Sequence, residues 1–182
     1  MRSVLFAILI GLVGAALLHI VIILALPQFT GKDANTRVLG LYEMDSFFAL
    51  ANEPGPTGLA NDDPFLRVAV CGFSIDVAPV RFQASGNVPF WSLSVFDANS
   101  NEVFSMNDQT SVNGNLDLVV ATPIQLVELR KTPTEKLAQS IMVEMPEQQE
   151  GYAVLRVLSP ASSYEEAARS FLAESGCEPL RR

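Results

Sequence analysis

The chain has little of what enzyme chemistry usually draws on. It contains one histidine, one tryptophan and two cysteines in 182 residues. The histidine, His19, lies inside a long apolar run, so a Ser-His-Asp arrangement finds no base in the remainder of the chain. Cys71 and Cys177 are too far apart for a C-x-x-C redox motif. No His, Cys, Asp and Glu residues fall at zinc-ligand spacing, and neither a G-x-G-x-x-G nor a Walker loop occurs. Basic residues are also scarce, 12 against 20 acidic, for a net charge of −8. All the acidic residues, and every basic residue except Arg2, lie beyond position 27. A part that acidic, without a basic stripe interleaved with aromatics, repels phosphate backbones, so nucleic acid is not expected as a partner. It also gives no reason to lie on an anionic membrane surface. These absences predict a non-enzymatic protein without cofactor or metal.

What the chain does have is one long hydrophobic run. Val4 to Leu26 is 23 residues without a formal charge, about 34 Å as a helix, which is enough to cross a hydrocarbon core. Pro27 follows, where a helix end is expected. The other reading is a cleaved signal peptide, but its apolar core would be shorter, and Leu24-Ala25-Leu26-Pro27 makes a poor cleavage site. Residues 1–27 therefore read as a retained membrane anchor. Arg2 on one side and Lys32 and Arg37 on the other leave the positive-inside count nearly even. The bulky part behind the anchor, together with the cysteine pair, orients the N-terminus to the cytoplasm and the domain to the outside. Ala7, Gly11, Ala15 and His19 recur every fourth residue and share a helix face, where small side chains allow a second helix close approach. His19 is then either a neutral imidazole hydrogen-bonded near the outer boundary or part of a contact with a partner's helix.

Residues 28–62 read as a stalk and loop. Thr30-Gly31-Lys32-Asp33 is turn-like, Ala34 to Tyr42 has room for a turn or two of helix, and Asp45 to Leu50 for a strand or docking segment. Asn52 to Gly58 is broken by Pro and Gly. From there residues 63–182 form short apolar runs between turn signals. Leu66 to Phe73 is apolar and β-branched, and Val80 to Ala84 alternates strictly. In Pro89 to Phe96, Trp91, Leu93 and Val95 face one way, and Asp97 to Asn101 turns the chain into Glu102 to Met106. Asn113-Gly114 precedes the strand Leu116 to Ala121. Thr122 as N-cap and Pro123 at the first position open a helix to about Lys131. Ser140 to Met145 and Tyr152 to Leu158 read as a strand pair across Pro146–Gly151. The last helix has a capping box available from Ser162 and Ser163 to Glu165 and Glu166, an apolar face of Tyr164, Ala168, Phe171 and Leu172, and Gly176 at its end. The expected fold is mainly β (α+β): an antiparallel sandwich or partly open barrel with a C-terminal helix.

Candidate site residues are few. Outside the cytoplasm, Cys71 and Cys177 can form one disulfide; the alternative is a buried Cys71 thiol and an exposed Cys177. Phe90, Trp91 and Asp97 are candidates to line a pocket, against the alternative that a strand aromatic is core. Asp97, Asp108 and Asp117 lie near strand ends and offer a carboxylate pair, against the alternative of local turn caps. Arg130-Lys131 and Arg181-Arg182 read as solvated charges.

Three stretches, Ile75 to Phe82, Val88 to Asp97 and Asn101 to Asp108, together resemble the bacterial family called domain of unknown function twelve fifty-four. The short membrane-anchored alphaproteobacterial form is similar also in Leu18-His19-Ile20, in Gly31-Lys32-Asp33-Ala34, and in Phe171-Leu172-Ala173 before a Cys. This chain is much shorter upstream of Asp76 than the long members and has no counterpart of their Asn-x-Asp-Thr-like segment. The resemblance implies a β-rich fold, carries over no catalytic residue, and implies work beside a separately encoded, anchored protein of the family numbered twelve fourteen. The resulting expectation is an inner-membrane-anchored envelope protein whose periplasmic domain is a protein-interaction module. The alternative is a domain that binds a small ligand or lipid in a cavity between its sheets.

Overall fold

The computed structural model describes residues 2–30, 33–41, 43–131, 134–145 and 148–180, with backbone alone for 27–30. The turn expected at Gly31-Lys32, and the pairs Arg181-Arg182 and Pro146-Glu147, lie outside the described residues. The chain divides into two units, Met1–Asp33 and Ala34–Arg182. The first holds one helix, α1 (Arg2–Thr30), whose stretch Arg2–Leu26 has a mean hydropathy of 2.8. The helix does not stop at Pro27. Pro27 loses its own amide bond and its ring crowds the carbonyl one turn back, yet so close to the end a single further turn continues past it.

The second unit starts earlier than expected. Ala34 already belongs to it, so most of the presumed stalk is part of the domain. The short helix α2 (Ala34–Leu39) and the two-residue strand β1 (Phe48–Ala49) precede β2 (Leu66–Ser74), β3 (Val80–Ala84), β4 (Trp91–Asp97), β5 (Glu102–Asn107) and β6 (Leu116–Ala121). Helix α3 (Pro123–Lys131), β7 (Ile141–Glu144), β8 (Glu150–Leu158), α4 (Glu165–Ala173) and β9 (Gly176–Pro179) complete it. Nine strands among the described residues form two sheets, one in the order β1-β2-β8-β4-β5 and the other β7-β6-β3-β9. The fold is α+β and mainly β. The first sheet is antiparallel throughout; in the second, β6 and β7 run parallel.

That parallel pair corrects the expected partnership of Ser140–Met145 with Tyr152–Leu158. A helix between two strands returns the chain in the same direction, so α3 carries it from β6 to a parallel β7 in the second sheet. β8 crosses to the first sheet and lies between β2 and β4. Its residues Gly151 to Leu155 are all buried, as a strand covered on both faces requires.

One core lies between the sheets. Ala69, Cys71 and Phe73 of β2, Trp91, Leu93 and Val95 of β4, and Ala153, Leu155 and Val157 of β8 face Val80, Phe82 and Ala84 of β3 and Leu116, Leu118 and Val120 of β6. The period-two alternation of each strand makes this possible, because one face of every strand is apolar. Helix α4 adds Ala168, Phe171 and Leu172. The serine capping box ahead of it does not form: Ser162–Tyr164 is a 3-10 turn, and the N-cap Tyr164 makes no side-chain bond. The helix is not the last element, since Gly176 opens β9 on the edge beside β3. A smaller cluster covers the other face of the first sheet, where Val38 of α2 with Leu41, Leu50 and Leu59 meets Val70, Tyr152 and Val154. Gly72 lets α2 settle there, because a β-carbon at that position would lie 2.9 Å from the Leu39 side chain.

Candidate functional site

Cys71 and Cys177 are joined as a disulfide, with Cα atoms 6.7 Å apart. It ties β2 of one sheet to β9 of the other through the core. Ala7, Gly11, Ala15 and His19 lie along α1, each exposed in this chain.

The expected pocket of Phe90, Trp91 and Asp97 is not assembled. Trp91 and Asp97 sit at opposite ends of β4, about 20 Å apart at a strand's rise. Trp91 is 1% exposed, stacks against Phe171 at 6.4 Å, and its indole N–H donates to the Gly114 carbonyl at 2.9 Å. Phe90 is half-buried, and its carbonyl accepts from the Leu158 amide at 3.0 Å. Asp97 holds the β4–β5 turn: Oδ1 accepts from the amides of Asn99 at 2.9 Å and Asn101 at 2.8 Å, and Oδ2 from the Asn101 side chain at 2.9 Å. Nor do the three aspartates act together. Asp117 is engaged by Arg81 in a fork with both distances 2.8 Å, while the Asp108 Oδ1 is buried without a hydrogen bond. The space between the sheets, where a ligand cavity was expected, is filled by Trp91, Phe73, Phe82, Leu93, Leu118 and Leu155.

An open space lies instead on the outer face of the second sheet. A hollow of about 630 Å³ is lined by Val77, Ala78 and Pro79 from the β2–β3 connection, by Ile124, Gln125, Glu128 and Leu129 of α3, by Thr134, Lys136 and Leu137, by Leu180, and by Arg81 of β3. Each wall is held in place by a local bond. Thr122 and Gln125 form a reciprocal capping box: the Thr122 amide donates to the Gln125 side chain at 2.9 Å, and the Gln125 amide to the Thr122 hydroxyl at 3.3 Å. The Gln125 side-chain amide then donates to the Ile75 carbonyl at 2.8 Å, docking α3 on the β2–β3 connection. The Leu180 amide reaches the Pro79 carbonyl at 2.7 Å. Arg81 Nη2 donates to the Lys136 carbonyl at 2.9 Å and draws in the 3-10 turn Glu135–Leu137. The Asp117 hydrogen bonds raise the Arg81 guanidinium above its ordinary range, against burial, so it stays charged. Val77 and Ile124 stand at the lips, 93% and 78% exposed.

No protein-family model matches the chain, and no curated protein does. Solved structures similar to it include the following two. The VPA0106 protein from Vibrio parahaemolyticus aligns with a TM-score of 0.57 at 13% identity, over 80% of this chain and 32% of that one. An uncharacterised protein from Burkholderia cenocepacia aligns with a TM-score of 0.45 at 11% identity, over 66% of this chain and 33% of that one. The chain spans about a third of the length of each. What the Vibrio protein shares with it is the fold.

A second charged group fastens α4 and borders a further hollow of about 410 Å³, lined by Arg67, Glu165 and Arg169 with Phe47, Leu50 and Leu172. Arg67 Nε and Nη2 meet the Glu165 carboxylate at 2.9 and 2.6 Å, Arg169 Nε reaches it at 2.8 Å, and the Ser159 hydroxyl at 3.3 Å. The Arg67 hydrogen bond, opposed by burial and helped by Arg169, holds Glu165 down at about 2. Among the described residues, no three His, Cys, Asp or Glu side chains come together to hold a metal ion.

Proposed function

We propose that this chain is a membrane-tethered envelope protein, with α1 crossing the inner membrane, its N-terminus cytoplasmic, and its β-rich domain in the periplasm as a protein-interaction module. The observation that carries the reading is α1 itself, whose 25-residue stretch Arg2–Leu26 is long and apolar enough to cross a membrane. It leads into a domain closed by a cystine, a bond that persists in oxidising compartments. Of the carboxylates that chemistry could have used, Asp97 and Asp117 are engaged by neighbouring backbone or arginine groups, while the Asp108 Oδ1 is buried without a hydrogen bond. The partner we favour is a second anchored envelope protein, meeting α1 along Ala7, Gly11, Ala15 and His19. The family resemblance suggests a twelve-fourteen protein for that role.

Two measurements test this. In Val77→Cys, the new thiol is exposed while the native cystine is silent. A membrane-impermeant maleimide should label it in intact spheroplasts; labelling only after lysis would refute the topology. For the partner, the full chain should recover an envelope protein from solubilised membranes, and Gly11→Leu should weaken that recovery. Recovery of no envelope protein would overturn the interaction reading. A second reading, ligand binding, is favoured by the hollow beside α3, and that hollow has a definite chemistry.

A further inference from the structure

We propose that the hollow between α3 and the β2–β3 connection binds the carboxylate end of a free long-chain fatty acid. The inference goes beyond the interaction reading and stands or falls separately from it. At about 630 Å³, the space falls within the range of small-molecule sites. Pro79, Leu129, Leu137 and Leu180 give it apolar walls, and Val77 and Ile124 extend that surface to the outside. Such walls suit an alkyl chain, whose burial is favourable in proportion to its area.

The charge is what selects the head group. Arg81 lines the hollow with its side chain 16% exposed. Its Nε and Nη2 are committed to Asp117 and to the Lys136 carbonyl, while Nη1 makes no hydrogen bond among the described residues. A guanidinium with one unused amino group on an apolar wall is a directional donor for a carboxylate oxygen. Lys136 on the rim makes no ion pair among the described residues and supplies a second positive charge. Asp117 already neutralises Arg81, so Lys136 is the charge that balances an incoming acid. In a chain of net charge −8, Arg81 and Lys136 border this apolar hollow, and its one lining carboxylate, Glu128, is paired with Lys131 at 3.1 Å, so an acid is attracted here instead of repelled. A neutral chain of the same length gains the apolar walls but neither cation.

The test uses the full-length protein in phosphatidylcholine nanodiscs and palmitate carrying a mid-chain diazirine. Photolysis should label peptides covering residues 75–81 and 123–137, and unlabelled palmitate should suppress that labelling. Hexadecanol should suppress it about tenfold less well, the factor expected for one lost charge-assisted contact. Ile124→Asp and Lys136→Glu change exposed side chains and should each reduce labelling by about tenfold without altering the unfolding midpoint. Labelling confined to α1, equal competition by hexadecanol, or unchanged labelling in both variants would overturn the proposal. A parallel arm places the diazirine in the phosphatidylcholine itself. Equal labelling of the same peptides there would identify a membrane phospholipid as occupant and refute the free acid. Loss of the envelope partner in pull-down, with palmitate labelling intact, would remove the interaction reading alone.

Discussion

Replacing Cys71 and Cys177 together by alanine releases a closed loop with a sequence separation of 106, and the cost follows from that separation. Closing a loop of this size removes about 16 cal/mol/K from the unfolded ensemble, or about 4.8 kcal/mol at room temperature. Both sulfurs are in the core, each residue 1% exposed, so the alanines add a small cavity term to the same side of the balance. For a domain of this length, a loss of 4–5 kcal/mol corresponds to a fall in Tm of about 10–20 °C. The chain carries its own reporter, because Trp91 is its one tryptophan and is packed against Phe171 beneath β4. Urea titrations of the full chain in detergent, followed by tryptophan emission, should show the midpoint falling in the double variant. Wild type with reductant should move to meet it, and reductant should leave the variant unchanged. A loss below about 1 kcal/mol would refute the assignment of the cystine as the main cross-link between the sheets. Equal sensitivity of the variant to reductant would refute it as well.

Other expectations follow from single side chains. Gly151→Ala drives a β-carbon into the Phe96 carbonyl and against Phe73, and should cost at least about 2–3 kcal/mol in the same titration. Glu165 is held at about 2 by Arg67, below its ordinary range, so its contribution to stability is fully present above about pH 4.5 and is lost as pH falls through 2. The wild-type midpoint should therefore drop between those values, and Glu165→Gln should flatten that part of the profile. Trp91→Phe removes the bond to Gly114 and leaves unfilled volume in the core, for a loss of about 2–4 kcal/mol measured by calorimetry. Asp97→Ala should cost about 1–2 kcal/mol through the β4–β5 turn, and a fatty-acid labelling pattern identical to wild type would confirm that it lies apart from the hollow.

Local signals reached the elements that local chemistry decides. Val80 to Ala84 and Pro123 to Lys131 have the boundaries that alternation and a Thr-Pro helix start dictate, and the inward set of Trp91, Leu93 and Val95 follows from the pleat. What was not legible depends on partners far along the chain. β7 and β8 are neighbours in sequence but belong to different sheets, and only the α3 crossover explains why. The segment after Ala34 looked like a stalk because Pro and Gly between Asn52 and Gly58 break any periodicity, yet Val38, Leu41, Leu50 and Leu59 are enough to cover one face of β2 and β8. The serines before α4 were a sound capping signal, but Glu165 is held by Arg67, 98 residues away. The hollow escaped for the same reason. Arg81 reads as the polar member of an alternating strand, and its meaning comes from Asp117, Lys136 and α3 around it. The capping box of Thr122 with Gln125 was the one local clue, since it shows where α3 must begin.

The interleaving of the two sheets sets an order of events for the newly made chain. β2 ends at Ser74 but its long partner β8 starts at Glu150, and β3 receives its second neighbour only from residues 176–179. The first sheet is not complete until residues 150–158 have emerged, nor the second until residues 176–179. Contacts this distant in sequence form slowly. During that interval, strand edges and apolar faces stand open to other chains. Residues 176–179 thus act as a latch for β3, and a nascent chain interrupted at α4 is a substrate for chaperones and proteases. The cystine can close only after that latch has emerged, which makes its formation a marker that β9 has reached β3.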